Sequence, residues 1–175
     1  MEIEKLKQLL TLCWEKETCS PGLRSKRNEE NPSLGQSEIT ALIVNNFFDG
    51  KIFSCMTSSG IHYYNIIGDI LVDWTIQEFL EETPNYDNSE EITRKYLLST
   101  EDIRRRYFLL NENLHTAFKK QNPIRKNRYK MYINQTLEDQ FRLEEESNDF
   151  GNLLQPDNAE HPHKNVMVLQ KKKKI

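Results

Sequence analysis

Residues 34–44 read Leu34-Gly35-Gln36-Ser37-Glu38-Ile39-Thr40-Ala41-Leu42-Ile43-Val44, and the fold class follows from this run. A small polar residue, Ser37, leads directly into a segment that is apolar on most of its circumference and that ends at Asp49-Gly50. A surface helix carries one apolar stripe, whereas a helix that is apolar on all sides is buried. The run therefore predicts a central helix over residues 37–48, which we expect to be the most buried helix of the domain.

Three segments after this helix, residues 51–57, 61–67 and 70–75, are rich in β-branched and aromatic side chains. Turn signals separate them, at Ser58-Ser59-Gly60 and at Gly68-Asp69. Short segments of this composition, joined by tight turns, are typical of antiparallel hairpins. The pattern therefore predicts an antiparallel sheet of at least three strands.

A two-residue turn at Gly68-Asp69 decides which residues face each other in the second hairpin. It pairs Tyr64 with Asp73 and places His62 and Asp73 on one sheet face as diagonal neighbours, about 7–8 Å apart at Cα. Asn65 then points to the other face. A shift of the register by one residue would exchange Asp73 for Asn65 beside His62.

The whole chain is predicted to be an α+β domain followed by an extension. Apolar residues at three-to-four-residue spacing predict flanking helices over residues 2–17 and 100–120. Along the chain, a short helix from Ile76 to Glu82 is expected between the last predicted strand and the second of these helices. We expect residues 1–118 to form the core domain and residues 119–175 the C-terminal extension. The extension contains a basic run, an acidic helix, a loop, a candidate edge strand at Val166–Leu169 and a basic tail at Lys171–Lys174.

Composition bounds the class of protein. The 175 residues carry a formal net charge of −3 and are 37% hydrophobic, and no run approaches the roughly 18 apolar residues that a membrane span needs. The N-terminus is amphipathic and acidic, unlike a signal peptide. The odd number of cysteines, without metal-like spacing, indicates reduced thiols (Cys13, Cys19 and Cys55). We expect a cytoplasmic protein without membrane association, cofactor, metal or general affinity for nucleic acid; the oligomeric state stays open.

Ser37, His62 and Asp73 suggest a catalytic site by their order along the chain. A nucleophile at a buried helix start, a base on one strand and an orienting acid on the next is the order found in papain-like hydrolases and acyltransferases. The helix start favours an anion, His62 would be the base, and Asp73 would orient the imidazole. Gln36 is a candidate oxyanion donor, together with the Ser37 N–H. Such a site would normally carry cysteine, because a serine hydroxyl needs a strong general base to become nucleophilic.

The same residues also have a structural interpretation. Ser37 at a helix start is typical of an N-cap, whose hydroxyl accepts a hydrogen bond from the N–H of Ile39 or Thr40. His62 among aromatic residues would then be a hydrogen-bonded structural histidine, and Asp73 a carboxylate at the end of a strand. On the residues alone both interpretations stand.

Several segments together resemble the bacterial YunG-like family over about residues 5 to 115. The resemblance implies a papain-like arrangement, and the family pattern has cysteine after Gly-Gln, where this chain has Ser37. The resemblance does not cover the region after Phe118. The matching segments are Leu12-Cys13-Trp14-Glu15-Lys16-Glu17-Thr18, residues 31–44, Phe48-Asp49-Gly50-Lys51-Ile52, His62-Tyr63-Tyr64-Asn65, Val72-Asp73-Trp74-Thr75 with Gln77 and Phe79, and Arg106-Tyr107-Phe108-Leu109-Leu110.

We therefore predict a papain-like thiol hydrolase or acyltransferase that acts on an amide or thioester bond, with a peptide or protein as its substrate. Ser37 has two explanations: a deliberate Cys→Ser change that silences an enzyme, or a natural loss that leaves a pseudoenzyme. The alternative function is a non-catalytic binding module whose interaction surface is the extension, residues 119–175. Charge runs such as those of the extension are usually solvated faces, and the other interpretation is a docking surface for an anionic partner.

Overall fold

The computed structural model describes residues 2–79 and 83–121, which all belong to one compact unit. This part of the chain is α+β, with helices packed on an antiparallel sheet. In chain order the elements are α1 (Ile3–Cys13), a single 3-10 turn (Pro21–Leu23), α2 (Ser37–Phe48), β1 (Lys51–Thr57), β2 (Gly60–Ile67), β3 (Ile70–Val72), a second 3-10 turn (Ile76–Glu78), β4 (Glu90–Ile92), α3 (Arg94–Ser99) and α4 (Glu101–Gln121).

The sheet has the strand order β3-β2-β1-β4, and every neighbouring pair is antiparallel. In the β2–β3 hairpin, Asn65 pairs with Val72 and Ile67 with Ile70. The predicted register of this hairpin is therefore confirmed, since continuing it places Tyr64 opposite Asp73. The sheet has four strands in the described residues, in agreement with the prediction of three or more.

α2 is the most buried helix of the described part of the chain, as predicted. It packs on β1 and β2 on one side and on α4 on the other, which explains why it is apolar around most of its circumference. It ends at Phe48, and the C-cap residue Asp49 adopts the left-handed conformation (φ 53°). The buried residues of α2 are Ser37, Ile39, Thr40, Ala41, Leu42, Ile43 and Val44.

Two predicted elements are shorter in the structure because local side-chain hydrogen bonds end them. The helix predicted over residues 2–17 ends at Cys13, where the Thr18 hydroxyl folds the chain back by donating to the Glu15 carbonyl. The strand predicted over residues 70–75 ends at Val72. There the Asp73 carboxylate accepts hydrogen bonds from the N–H and the hydroxyl of Thr75, and a turn of this kind competes with strand pairing.

Two short elements, β4 and α3, were not predicted. β4 contains two glutamates in three residues and so has little strand propensity. It forms because Ile92 pairs with Ile52 on the free edge of β1. α3 follows at once, and the Thr93 hydroxyl caps it by accepting a hydrogen bond from the N–H of Tyr96. The short helix predicted from Ile76 to Glu82 appears as the 3-10 turn Ile76–Glu78.

Most of the predicted extension lies outside the described residues. α4 continues to Gln121, past the predicted domain boundary at residue 118, and the candidate edge strand at Val166–Leu169 falls outside the described part. Among residues 2–79 and 83–121, no helix combines the length and the apolar character needed to cross a bilayer.

Candidate functional site

The centre of the candidate site is His62, a buried residue of β2 whose two ring nitrogens each meet a carboxylate. Nε2 lies 2.6 Å from Asp73 Oδ2, and Nδ1 lies 2.5 Å from Glu78 Oε1. The His62 side chain is 1% exposed, and those of Asp73 and Glu78 are 2% and 7% exposed. The Phe79 ring covers the imidazole edge-on, with 4.8 Å between the ring centroids. The three groups form one ionic cluster that is closed to water.

The electrostatics of this cluster keep the imidazole protonated. Burial by itself lowers the pKa of His62, but the hydrogen bonds and charges of Asp73 and Glu78 outweigh it and raise the pKa to about 9. At neutral pH both ring nitrogens therefore carry a proton and donate to a carboxylate. In this state the ring has no lone pair with which to act as a base.

Asp73 is held in place by donors from two other residues. Its Oδ1 accepts from the N–H and the hydroxyl of Thr75, at 3.0 and 3.2 Å, and its Oδ2 accepts from the Tyr86 hydroxyl at 2.8 Å. Burial and the charge of Asp73 raise the pKa of Tyr86, so its phenol stays a donor. The turn that ends β3 thus also orients the carboxylate that receives the His62 proton.

Glu78 belongs to the site although the sequence analysis did not single it out. One carboxylate oxygen meets His62, and the other accepts the backbone N–H of Gly35 at 2.9 Å. The Glu78 carbonyl accepts from the Asn31 side chain at 3.2 Å. The only sequence signal was a carboxylate placed shortly after Asp73, within a predicted helix, and nothing in the local pattern separated it from a solvent-exposed glutamate.

Ser37 is the first residue of α2 and is 4% exposed. The N-cap is Gln36, and no side chain caps the helix, so the structural interpretation of Ser37 as an ordinary N-cap is wrong. The structure brings His62 and Asp73 together, but the Ser37 hydroxyl forms no hydrogen bond with the imidazole in the described part of the chain, since both ring nitrogens are directed at carboxylates. The link between His62 and the start of α2 is Glu78, through Gly35.

Gln36, the predicted oxyanion donor, is fully buried. Its amide nitrogen donates to the Glu15 carbonyl at 3.1 Å, which leaves the second amide hydrogen for another acceptor. Its Oε1 atom is buried and has no hydrogen-bond partner among the described residues. The amide is thus oriented by the turn after α1, directly before Ser37.

Asn65, the alternative partner of the imidazole, lies on the other sheet face. Its side chain donates to the Ala41 carbonyl of α2 at 3.1 Å. Because successive strand residues alternate between faces, Asn65 points toward α2 and His62 points away from it. β3 pairs only with residues 65–67 of β2. Beside His62, residues 73–79 therefore run where a longer β3 would have paired, and this segment carries both carboxylates.

The start of α2 is fixed from the helical side by Arg106, a residue of α4 that is 1% exposed. Its guanidinium donates to Asp102 at 2.6 Å, contacts Glu38 at 3.5 Å and donates to the Thr18 carbonyl at 3.4 Å. Burial raises the pKa of Glu38 more than Arg106 lowers it. The residue after Ser37 is therefore held by an ion pair, which limits how far the helix start can move.

Gly35→Ala is expected to destabilise the protein by at least about 1–2 kcal/mol, because an alanine pays this much for the left-handed backbone of Gly35 (φ +68°). A Cβ there would also lie 2.9 Å from Cys19 Sγ and 3.1 Å from the Ser20 nitrogen. Urea unfolding followed by circular dichroism measures the change. Gly22→Ala is the matched control, since a Cβ at Gly22 has no atom within 4 Å; equal effects of the two substitutions would contradict the expectation.

Comparison with known proteins shows which family the chain resembles. The model of the family described as YunG protein matches residues 2–119. The uncharacterized protein YunG of Bacillus subtilis (strain 168) is 34% identical over 77 residues, which is 44% of this chain and 63% of that relative. The match thus spans less than two thirds of the relative's length. No solved structure is significantly similar to the chain.

Proposed function

We propose that this chain, which belongs to the YunG family, carries an acyl-transfer site of the papain type in a papain-like fold. In this proposal position 37 is the nucleophile, His62 the base, Asp73 the orienting acid and Gln36 an oxyanion donor. The reaction class is hydrolysis or acyl transfer at an amide or thioester bond, with a peptide or protein as substrate. Ser37 makes this chain an inactive or weakened form of such an enzyme.

One observation carries the proposal. His62 Nε2 is paired with Asp73, and its other nitrogen is directed, through the single carboxylate of Glu78, at the turn that leads into Ser37. The proposal assigns this His62–Asp73 pair to the orienting half of a triad. The other ring nitrogen, Nδ1, is the one that would meet the nucleophile. It is directed at the loop before Ser37, with the Glu78 carboxylate in between.

The helix start supports the role of position 37. The first turn of a helix presents unpaired N–H groups and a partial positive charge, and no side chain uses them for capping at α2. In this proposal a thiol in this place ionises readily, because the helix start and, once Glu78 has moved aside, the His62 imidazolium both stabilise a thiolate. An alcohol is not, because its pKa is far too high for a partial charge to matter.

The proposed chemistry proceeds in two steps. A thiolate at position 37, beside a His62 that is already protonated, attacks the carbonyl carbon of the substrate, and the departing amine or thiol takes a proton from His62. Water, activated by His62, then cleaves the acyl-enzyme to a carboxylic acid and restores the nucleophile. If an amine or thiol attacks in place of water, the result is acyl transfer.

The protonation state of His62 explains why serine weakens this site. An imidazolium with a pKa of about 9 is the natural partner of a thiolate and can donate the proton that the leaving group needs. A serine hydroxyl instead requires a neutral imidazole with a free nitrogen, and Glu78 occupies that nitrogen. With Ser37, proton removal must first displace Glu78 and deprotonate the ring.

The competing proposal is a non-catalytic binding module. The observation that favours it is the closed ion cluster, since a histidine that is 1% exposed and bonded on both nitrogens is suited to a structural role. The surface for a partner would then be the extension, residues 119–175, which lies outside the described part beyond Gln121.

The experiment that separates the two proposals is Ser37→Cys, followed by the rate of alkylation with iodoacetamide as a function of pH. We expect a thiol pKa at least one unit below the ordinary value of about 8.5, because His62 and the helix start both stabilise a thiolate. The parent chain is the blank. It contains the same three buried cysteines, whose pKa values are raised by burial, that of Cys13 to about 11.

The matched control is Glu101→Cys, which places a thiol at the first residue of α4, another helix start, without a histidine partner. Both thiols then lie at a helix start, and burial raises the pKa only at position 37, since Ser37 is buried and Glu101 is exposed. A pKa at position 37 below that of the control must therefore come from His62. A thiol at position 37 whose pKa is no lower than that of the control, or that no pH makes reactive, would count against the catalytic proposal and in favour of the binding module.

A further inference from the structure

Glu78 contacts two parts of the domain that are distant from each other in sequence, the loop before α2 and the strand β2. Its Oε1 meets His62 of β2, its Oε2 accepts the Gly35 N–H, and its carbonyl accepts from Asn31. The 3-10 turn that carries it is fixed by its own N–H, which donates to the Thr75 carbonyl. One residue therefore ties the loop before α2 to the sheet.

A carboxylate suits these contacts better than an amide does. An ionised carboxylate only accepts hydrogen bonds, and here both of its oxygens face donors, an imidazolium N–H and a backbone N–H. A glutamine could keep one of these bonds, but its NH2 group would then face the other donor unless the imidazole lost its proton. The identity of residue 78 is therefore coupled to the charge of His62.

Among the groups around His62, two carboxylates control the charge of the ring. Asp73 and Glu78 contact the ring, and Tyr86 reaches it only through Asp73. Cys55 faces His62 across the β1–β2 pair, and burial raises the pKa of this thiol, so it stays neutral at physiological pH. No cation in the described residues pairs with Asp73 or Glu78 other than His62 itself.

We propose that Glu78 is a positioning residue that holds His62 as an imidazolium and closes the site, by occupying the ring nitrogen that the nucleophile at position 37 would otherwise meet. This inference rests on the proposed function, in which that ring nitrogen meets the nucleophile. Opening the site then requires Glu78 to leave Nδ1, and the same movement releases Gly35 and the loop before Ser37. A substrate that supplies its own donor to Glu78 would favour the open state.

The test is an NMR titration of His62 in the full chain, in the parent, in Glu78→Gln and in Glu90→Gln. The His62 ring signal is assigned by replacing the other histidines, His115, His161 and His163, one at a time. We expect Glu78→Gln to lower the pKa of His62 by at least one unit, which is a tenfold fall in the ratio of protonated to neutral ring at a given pH. Glu90→Gln, the same chemical change at an exposed residue of β4, should leave it unchanged.

A His62 pKa that is the same in Glu78→Gln and Glu90→Gln would overturn the proposal. Should Glu78→Gln fail to fold, Glu78→Asp keeps the charge but shortens the reach. We then expect His62 to stay protonated while hydrogen exchange of the Gly35 amide accelerates at least tenfold, and unchanged exchange would overturn the proposal. These measurements use Ser37 chains, so they stand apart from the alkylation of Ser37→Cys, whose failure would overturn the proposed reaction but not the role of Glu78.

Discussion

His62→Ala is expected to lower the free energy of unfolding by about 3–5 kcal/mol, the usual cost of removing one partner from a buried ion pair. Without the imidazolium, Asp73 and Glu78 remain 2% and 7% exposed and carry like charges without a cation between them. The alanine also leaves a space under the Phe79 ring. Urea unfolding at neutral pH measures the change.

The control is the triple substitution His62→Gln, Asp73→Asn and Glu78→Gln, which removes every charge of the cluster and keeps polar side chains in place. Replacing a buried ion pair by neutral groups costs far less than breaking it. We therefore expect the triple variant to be more stable than His62→Ala. A loss below about 1 kcal/mol in His62→Ala would show that the cluster is open to water or that its charges are already neutralised.

Stability is expected to fall by about 3 kcal/mol between pH 6.5 and pH 9 through His62 alone. The pKa of His62 is raised from 6.5 in the unfolded chain to about 9 in the folded protein. The folded state therefore binds the proton more tightly. Its contribution is complete below pH 6.5 and is lost as the pH rises through about 9. Each unit of pKa shift corresponds to about 1.4 kcal/mol, and His62 is buried, so solvent screening reduces this little.

Urea unfolding at pH 6, 7.5 and 9 measures this dependence in the parent and in the triple variant, and the difference between them isolates the cluster. The buried thiols lose their stabilising effect only at higher pH, because their pKa values are raised from 9.0. Identical pH profiles in the two proteins would show that His62 is not an imidazolium in the folded state.

The local sequence was sufficient to predict the elements whose bounds follow from hydrophobic periodicity and turn residues. α2 and β1 have the predicted bounds, and the two-residue turn at Gly68-Asp69 sets the predicted β2–β3 register. That register is what brings Asp73, rather than Asn65, to the imidazole. A hairpin turn acts over a few residues, so its consequences can be calculated from the chain alone.

The remaining parts depend on contacts between residues that are far apart in sequence. β4 is a strand because β1 offers it an edge, and Glu78 joins the site because Gly35, 43 residues earlier, offers it an N–H. Neither β4 nor Glu78 has a sequence pattern in its own neighbourhood that indicates its distant partner. The charge of His62 belongs to this group as well, since it depends on two carboxylates that only the folded chain places on opposite sides of the ring.

The chain's own pattern thus determined a buried helix that begins at Ser37, the hairpins that follow it and the pairing of His62 with Asp73, because each rests on interactions within or between neighbouring elements. Only the tertiary structure decided that the second nitrogen of His62 meets Glu78 and not Ser37. That outcome follows from a competition for one buried donor, in which an ionised carboxylate is a stronger acceptor than a neutral hydroxyl.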